Sequence, residues 1–118
     1  MSHPLVSFRS AASALAVALL SLTLSSPGRA ADDEALLVIK NHRFEPAEVR
    51  VRANQRIRLI VHNQDASPEE FESHALNREK VIPAGAKATI FIGPLKPGRY
   101  QFVGEFHEAT AKGAVLAE

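Results

Sequence analysis

The sequence contains no cysteine, and its single methionine is Met1. Without cysteine there can be no disulfide staple, no cysteine-rich zinc site and no thiol chemistry. Basic tracts are missing too. The 14 Lys and Arg are scattered among 13 Asp and Glu, which removes the electrostatic footprint of a nucleic-acid binder or of a protein held on an anionic membrane. No glycine-rich loop is placed to cradle a phosphate. Neither Ser67 nor Ser73 has a histidine and an aspartate at a spacing that would activate it, so nothing in the sequence argues for an enzyme. Internal repeats and low-complexity segments are absent.

The one long apolar run lies at the beginning. Arg9 precedes an apolar stretch over residues 11–24, and Pro27-Gly28-Arg29-Ala30 breaks it and offers small residues for cleavage after Ala30. The stretch falls short of the roughly 20 residues a spanning helix needs. Residues 1–30 therefore read as a secretory signal peptide, the expected location is the periplasm, and no membrane span remains after cleavage. Arg9 and Arg29 lie in this segment and no acid does, so the slight positive balance of the whole chain belongs to the leader. Residues 31–118 suffice for one domain and not for two.

Within that domain the hydrophobic pattern has a period of two. Leu36, Leu37, Val38 and Ile39 form an apolar run of strand length, which predicts a first strand over 35–41. Val49 and Val51 alternate with Glu48, Arg50 and Arg52, and Ile57, Leu59 and Val61 alternate with Arg56, Arg58 and His62. Such alternation sets one face of each strand on a core and the other in water. Pro46 has no N–H for a ladder and belongs at the start or edge of its strand. A turn at 53–55, a loop over 63–68, a short strand over 71–76, an irregular crossover over 77–85, and strands over 87–92, 99–103 and 113–117 complete the pattern. About seven short strands with turn residues between them predict an all-β protein, an antiparallel Greek-key β-sandwich.

The segment Pro97-Gly98-Arg99-Tyr100-Gln101-Phe102-Val103-Gly104-Glu105-Phe106-His107, followed by Lys112-Gly113-Ala114-Val115-Leu116, resembles the closing hairpin of cupredoxins. Phe44-x-Pro46, the turn before Ile57, and Asn63-x-Asp65 followed by Pro68 look like further landmarks of that family in the same order, so the resemblance covers nearly all of residues 31–118. It implies a cupredoxin-like fold. Carried over one by one, the family's first histidine ligand falls on Glu69, its cysteine on Gly104 and its second histidine on His107. No methionine follows, the nearest positions being Ala111 and Lys112. A type 1 copper centre needs a thiolate with two imidazoles, so blue-copper electron transfer is excluded.

What the resemblance leaves at that end is a harder set of candidate metal ligands: Glu69, His107 and Glu105, with His42 and Glu72 behind them. Strand alignment brings His42, just before Phe44-x-Pro46, close to His107. Mixed carboxylate and imidazole donors suit Cu(II), iron, manganese or zinc better than Cu(I). The segments 67–80 and 105–113 are similar to the cupredoxin-like domain of periplasmic iron-uptake components of the EfeO type. That similarity implies binding of a copper or iron ion beside an inner-membrane iron or metal permease. The expected function is thus a non-enzymatic metal-binding protein. The rival expectation is a metal-free module that docks on a membrane transporter or a larger periplasmic partner, since a fold can outlive its site.

His74 is a further, weaker ligand candidate beside His42 and Glu72, and ordinary roles are expected elsewhere: His62 on the surface or in a cross-strand contact, Phe44, Phe71, Phe91, Phe102 and Phe106 in core and rim, and Arg78, Glu79 and Lys80 in a charge network. Arg50, Arg52, Arg56 and Arg58 are expected on two adjacent strands as a solvated face.

Overall fold

Alternating side chains decide the strands. β4 (Ile57–Asn63) buries Ile57, Leu59, Val61 and Asn63 on one face, and β1 (Asp33–Lys40) buries Ala35, Leu37 and Ile39 while Leu36 points out. In the computed structural model, which describes residues 2–5, 16–18, 21 and 32–118, nine strands form among the described residues. Most of the expected leader and its cleavage point after Ala30 lie outside the described residues. Among the described residues no helix is long and apolar enough to cross a membrane.

After β1, a two-residue turn leads into β2 (Arg43–Glu45), and Pro46 and Ala47 carry the chain across to β3 (Glu48–Val51) in the opposing sheet. Beyond β4 come β5 (Glu69–Ser73), β6 (Arg78–Ile82), β7 (Lys87–Ile92), β8 (Gly98–Gly104), a single 3₁₀ turn over Glu105–His107, and β9 (Lys112–Ala117). One sheet has the order β2-β1-β4-β7 and the other β3-β9-β8-β5-β6. Phe44, Phe71 and Phe102 meet between them, with Phe44 edge-on to Phe102 at 4.8 Å between ring centroids. Each fully buried ring of this kind stabilises the sandwich by roughly 1.5–3 kcal/mol.

The all-β sandwich is as the sequence predicts, with three differences. The sheets are mixed: β1 pairs parallel with β4, and β3 parallel with β9. A strand that leaves for the opposing sheet and returns can come back parallel, which hydrophobic alternation does not reveal. The expected irregular crossover over 77–85 contains β6, antiparallel to β5. Only Ile82 of β6 is buried, so this charged edge strand carries no period-two signal and owes its place to pairing. Finally, β3 and β4 are in different sheets, so the arginine row does not lie on adjacent strands. Its members instead form separate ion pairs: Arg50 with Glu118, Arg52 with Asp33, Arg56 with Asp32 and Arg58 with Glu34. Arg56 also lies 4.3 Å over the Phe91 ring.

Candidate metal-binding end of the sandwich

Three connections converge at one end of the sandwich: the β1–β2 turn, the β4–β5 loop and the β8–β9 link. Asn63 anchors the middle one. It is fully buried at the end of β4, its Nδ2 donates to the carbonyls of Ser67 (2.9 Å) and Ile82 (3.0 Å), and its Oδ1 accepts the Asp65 N–H. Asp65 so placed accepts the N–H of Asn41 at 2.7 Å and that of His42 at 2.9 Å. The His42 N–H, then that of Asn41, hold the Asp65 carboxyl below its usual 3.8, against some desolvation.

These bonds matter because both turn residues have left-handed backbones, Asn41 at φ 53° and His42 at φ 56°. A two-residue hairpin turn of type I′ demands positive φ at both positions and favours glycine at the second. Here an imidazole occupies it, secured by Asp65 on the N–H side and by the Thr110 hydroxyl, which donates to the His42 carbonyl at 2.6 Å. The His42 ring lies stacked on His107, with centroids 3.5 Å apart and planes at 12°.

Beneath this pair lies Glu69, the first residue of β5, only 1% exposed. Its Oε1 accepts the N–H of Glu70 (3.0 Å) and of Phe106 (2.9 Å), and its Oε2 is 2.5 Å from Nδ1 of His107. A buried carboxylate is tolerated only when paired and hydrogen-bonded, and this one has partners at both oxygens. The contact assigns the proton of neutral His107 to Nδ1 and leaves Nε2 as the ring nitrogen able to take a ligand.

Of the sequence-derived candidates, the structure brings together Glu69, His107 and His42. Glu105 and Glu72 join a different group, on the outer face of the five-stranded sheet. Successive residues of a strand point to opposite faces, so Glu69, Phe71 and Ser73 enter the interior while Glu70 and Glu72 face outward. Glu72 pairs across to Glu79 on β6. Among the described residues, Glu70, Glu79 and Glu105 present carboxylate oxygens within 4.8 Å of one another. Hydrogen bonding to Glu105, and next to Glu79, pushes the Glu70 carboxyl up from 4.5 to about 7. Partial desolvation and then Glu105 raise Glu72 as well, while His74 stands 3.5 Å from it.

Asp65 and the Glu70–Glu79 neighbourhood escape a reading of the sequence. The Asp65 bonds span more than twenty residues, and Glu79 lies on the edge strand that has no periodic signal. Asn63-x-Asp65 shows a loop, not what that loop holds.

Residues 12–117 match the family model of the cupredoxin-like domain. An uncharacterized protein of Rickettsia prowazekii (strain Madrid E) is 46% identical over 83 residues, a match covering 70% of this chain and 66% of that one, so this chain spans just under two thirds of that relative's length. The copper(I)-bound metal-binding domain of the Cu(I)-exporting P-type ATPase CopA of Streptococcus pneumoniae D39 superposes with a TM-score of 0.64 at 15% identity, covering 72% of this chain and 84% of that one. Auracyanin A, a "blue" copper protein of Chloroflexus aurantiacus, gives 0.62 at 12% identity over 72% of this chain and 98% of its own.

Proposed function

The chain belongs to the cupredoxin-like domain family, and from that premise we propose that it is a non-enzymatic metal-binding protein, exported to the periplasm, that handles a Cu(II) or iron ion for an inner-membrane permease. A type 1 copper does not fit: the residue standing for the thiolate is Gly104, and the Glu69 carboxyl lies against it. An imidazole-bound Cu(II) or iron ion suits the donors that are present.

The observation that carries this reading is the buried Glu69 carboxylate fixed to Nδ1 of His107. Metal-binding histidines characteristically donate their second ring N–H to a carboxylate, which fixes the tautomer and raises the basicity of the other nitrogen. Glu69 is then the group that orients His107, and His107 is the ligand, through Nε2. His42 is the neighbouring imidazole. Its ring is parallel to that of His107, so one ion cannot lie in both ring planes until the exposed His42 side chain turns.

Titration calorimetry with Cu(II), and separately with iron and zinc, tests the reading. One-site binding is expected in the wild type, lost in His107→Ala and weakened about 10–100-fold in Glu69→Gln. Glu105→Gln and Glu72→Gln separate the outer carboxylates from the imidazole end and are expected to leave Cu(II) affinity unchanged. Equal binding by wild type, His107→Ala and Glu69→Ala would refute the assignment. One observation favours the second reading, a metal-free docking module: both Glu69 oxygens are already satisfied within the chain. Titration without binding in the wild type supports that module.

A further inference from the structure

Gly104 ends β8 with φ −89° and ψ 106°, an extended conformation open to any residue, so its backbone does not require glycine. Space requires it. A Cβ placed there would stand 2.6 Å from Cβ of Ala111, 2.7 Å from Cδ of Glu69 and 2.9 Å from Oε1 of Glu69. Such approaches are well inside van der Waals contact. Two of the three atoms belong to a carboxyl held in place by two backbone N–H groups and His107. The third lies on the returning link, which is drawn against Gly104 by the Gly104 N–H donating to the Ala111 carbonyl at 2.8 Å. That link is itself tightened by Thr110 and Ala111 N–H groups donating to the His107 carbonyl.

We propose that Glu69, Gly104 and Ala111 close the inner metal position of this frame. The Glu69 carboxyl fills it as a tethered anion, the absent Cβ of Gly104 makes room for that carboxyl, and Ala111 seals the remaining side. The missing cysteine is thus one half of a paired change, with the carboxylate as the other half. Ions are excluded from the inner position whether or not one is taken at Nε2 of His107 outside it. The closure therefore stands or falls apart from the metal-binding reading.

The test is a stability cycle on the metal-free protein. Gly104→Ala should lower Tm by about 10 °C in the wild-type background, because it forces side chains and backbone apart in a filled interior. In a Glu69→Ala background the same change should lower Tm by at least about 4 °C less, the remainder being the contact with the Ala111 Cβ, which stands at 2.6 Å in either background. Equal losses in the two backgrounds would overturn the proposal. Gly104→Cys with Glu69 retained supplies a second measurement that does not require Glu69→Ala to fold. With Cu(II) added, no thiolate-to-copper absorption is expected in the visible range. A visible band in that variant would show the inner position open and overturn the closure.

Discussion

Replacing Glu69 by alanine should remove a large part of the stability of this domain. The carboxylate is 1% exposed and accepts from two backbone N–H groups and from His107. Removing it strips three donors of their acceptor, the Glu70 and Phe106 N–H groups and the Nδ1–H of His107, at about 1–3 kcal/mol for each group left unsatisfied. Here the Glu70 and Phe106 N–H groups are only part-buried, so water regains some of their bonding and the lower end of that range applies. A domain of this size has about 5–10 kcal/mol in total. With a urea dependence of about 1 kcal/mol per molar, the unfolding midpoint should drop by about 3 M.

Glu69→Gln is the informative companion. Its amide oxygen retains the two backbone donors, but its NH₂ now faces Nδ1 of His107, which must become an acceptor. The bond turns from charge-assisted to neutral, roughly half as strong, for a loss of about 1–2 kcal/mol. The ring proton moves to Nε2, which ¹⁵N NMR of the histidine side chains reads directly. A urea midpoint for Glu69→Ala within about 0.5 M of wild type, equivalent to about 0.5 kcal/mol and the range of an ordinary surface change, would refute the reasoning. So would an unchanged His107 tautomer in Glu69→Gln.

The outer carboxylates predict the opposite pH behaviour from an ordinary salt bridge. Because Glu70 is raised from 4.5 to about 7, the folded state binds more protons than the unfolded state between those values. Its contribution is complete below about 4.5 and is lost as pH rises through about 7. Glu70→Gln should therefore raise Tm at about pH 8 and leave it unchanged at about pH 4; parallel Tm curves for the two proteins would count against the carboxyl contact with Glu105. Asp65 runs the other way, since its lowered value means that its contribution is present above 3.8 and lost as pH falls through the folded-state value. Asp65→Asn should cost about 1 kcal/mol near neutrality and progressively less as pH falls below 3.8, measured by denaturant unfolding. Asn63→Ala removes partners from the Ser67 and Ile82 carbonyls and the Asp65 N–H, and is expected to cost about 2–3 kcal/mol and to speed proteolysis in the β4–β5 loop. Unchanged cleavage there would show that Asn63 does not anchor it.

The sequence alone determined the strands that bury alternate residues. Ile57, Leu59 and Val61 and, in β7, Ile90 and Ile92 announce a core face because side-chain direction in a strand depends only on parity. It also determined what the metal end lacks, since the absence of cysteine is a fact of composition. The resemblance to cupredoxins, which sets Glu69 where a histidine is expected and Gly104 where a cysteine is expected, pointed to this end of the chain as the candidate site. Parity does not tell two outward neighbours from two inward ones until the sheet's inner face is known. Only the tertiary structure therefore decided that Glu69 is buried against His107 while Glu70 faces out toward Glu79 and Glu105. The edge strand β6 and the hold of Asp65 on the His42 turn depend on pairings between residues far apart in the chain. Long-range pairing is settled by how two sheets pack and where loops meet, and a local pattern carries no record of either.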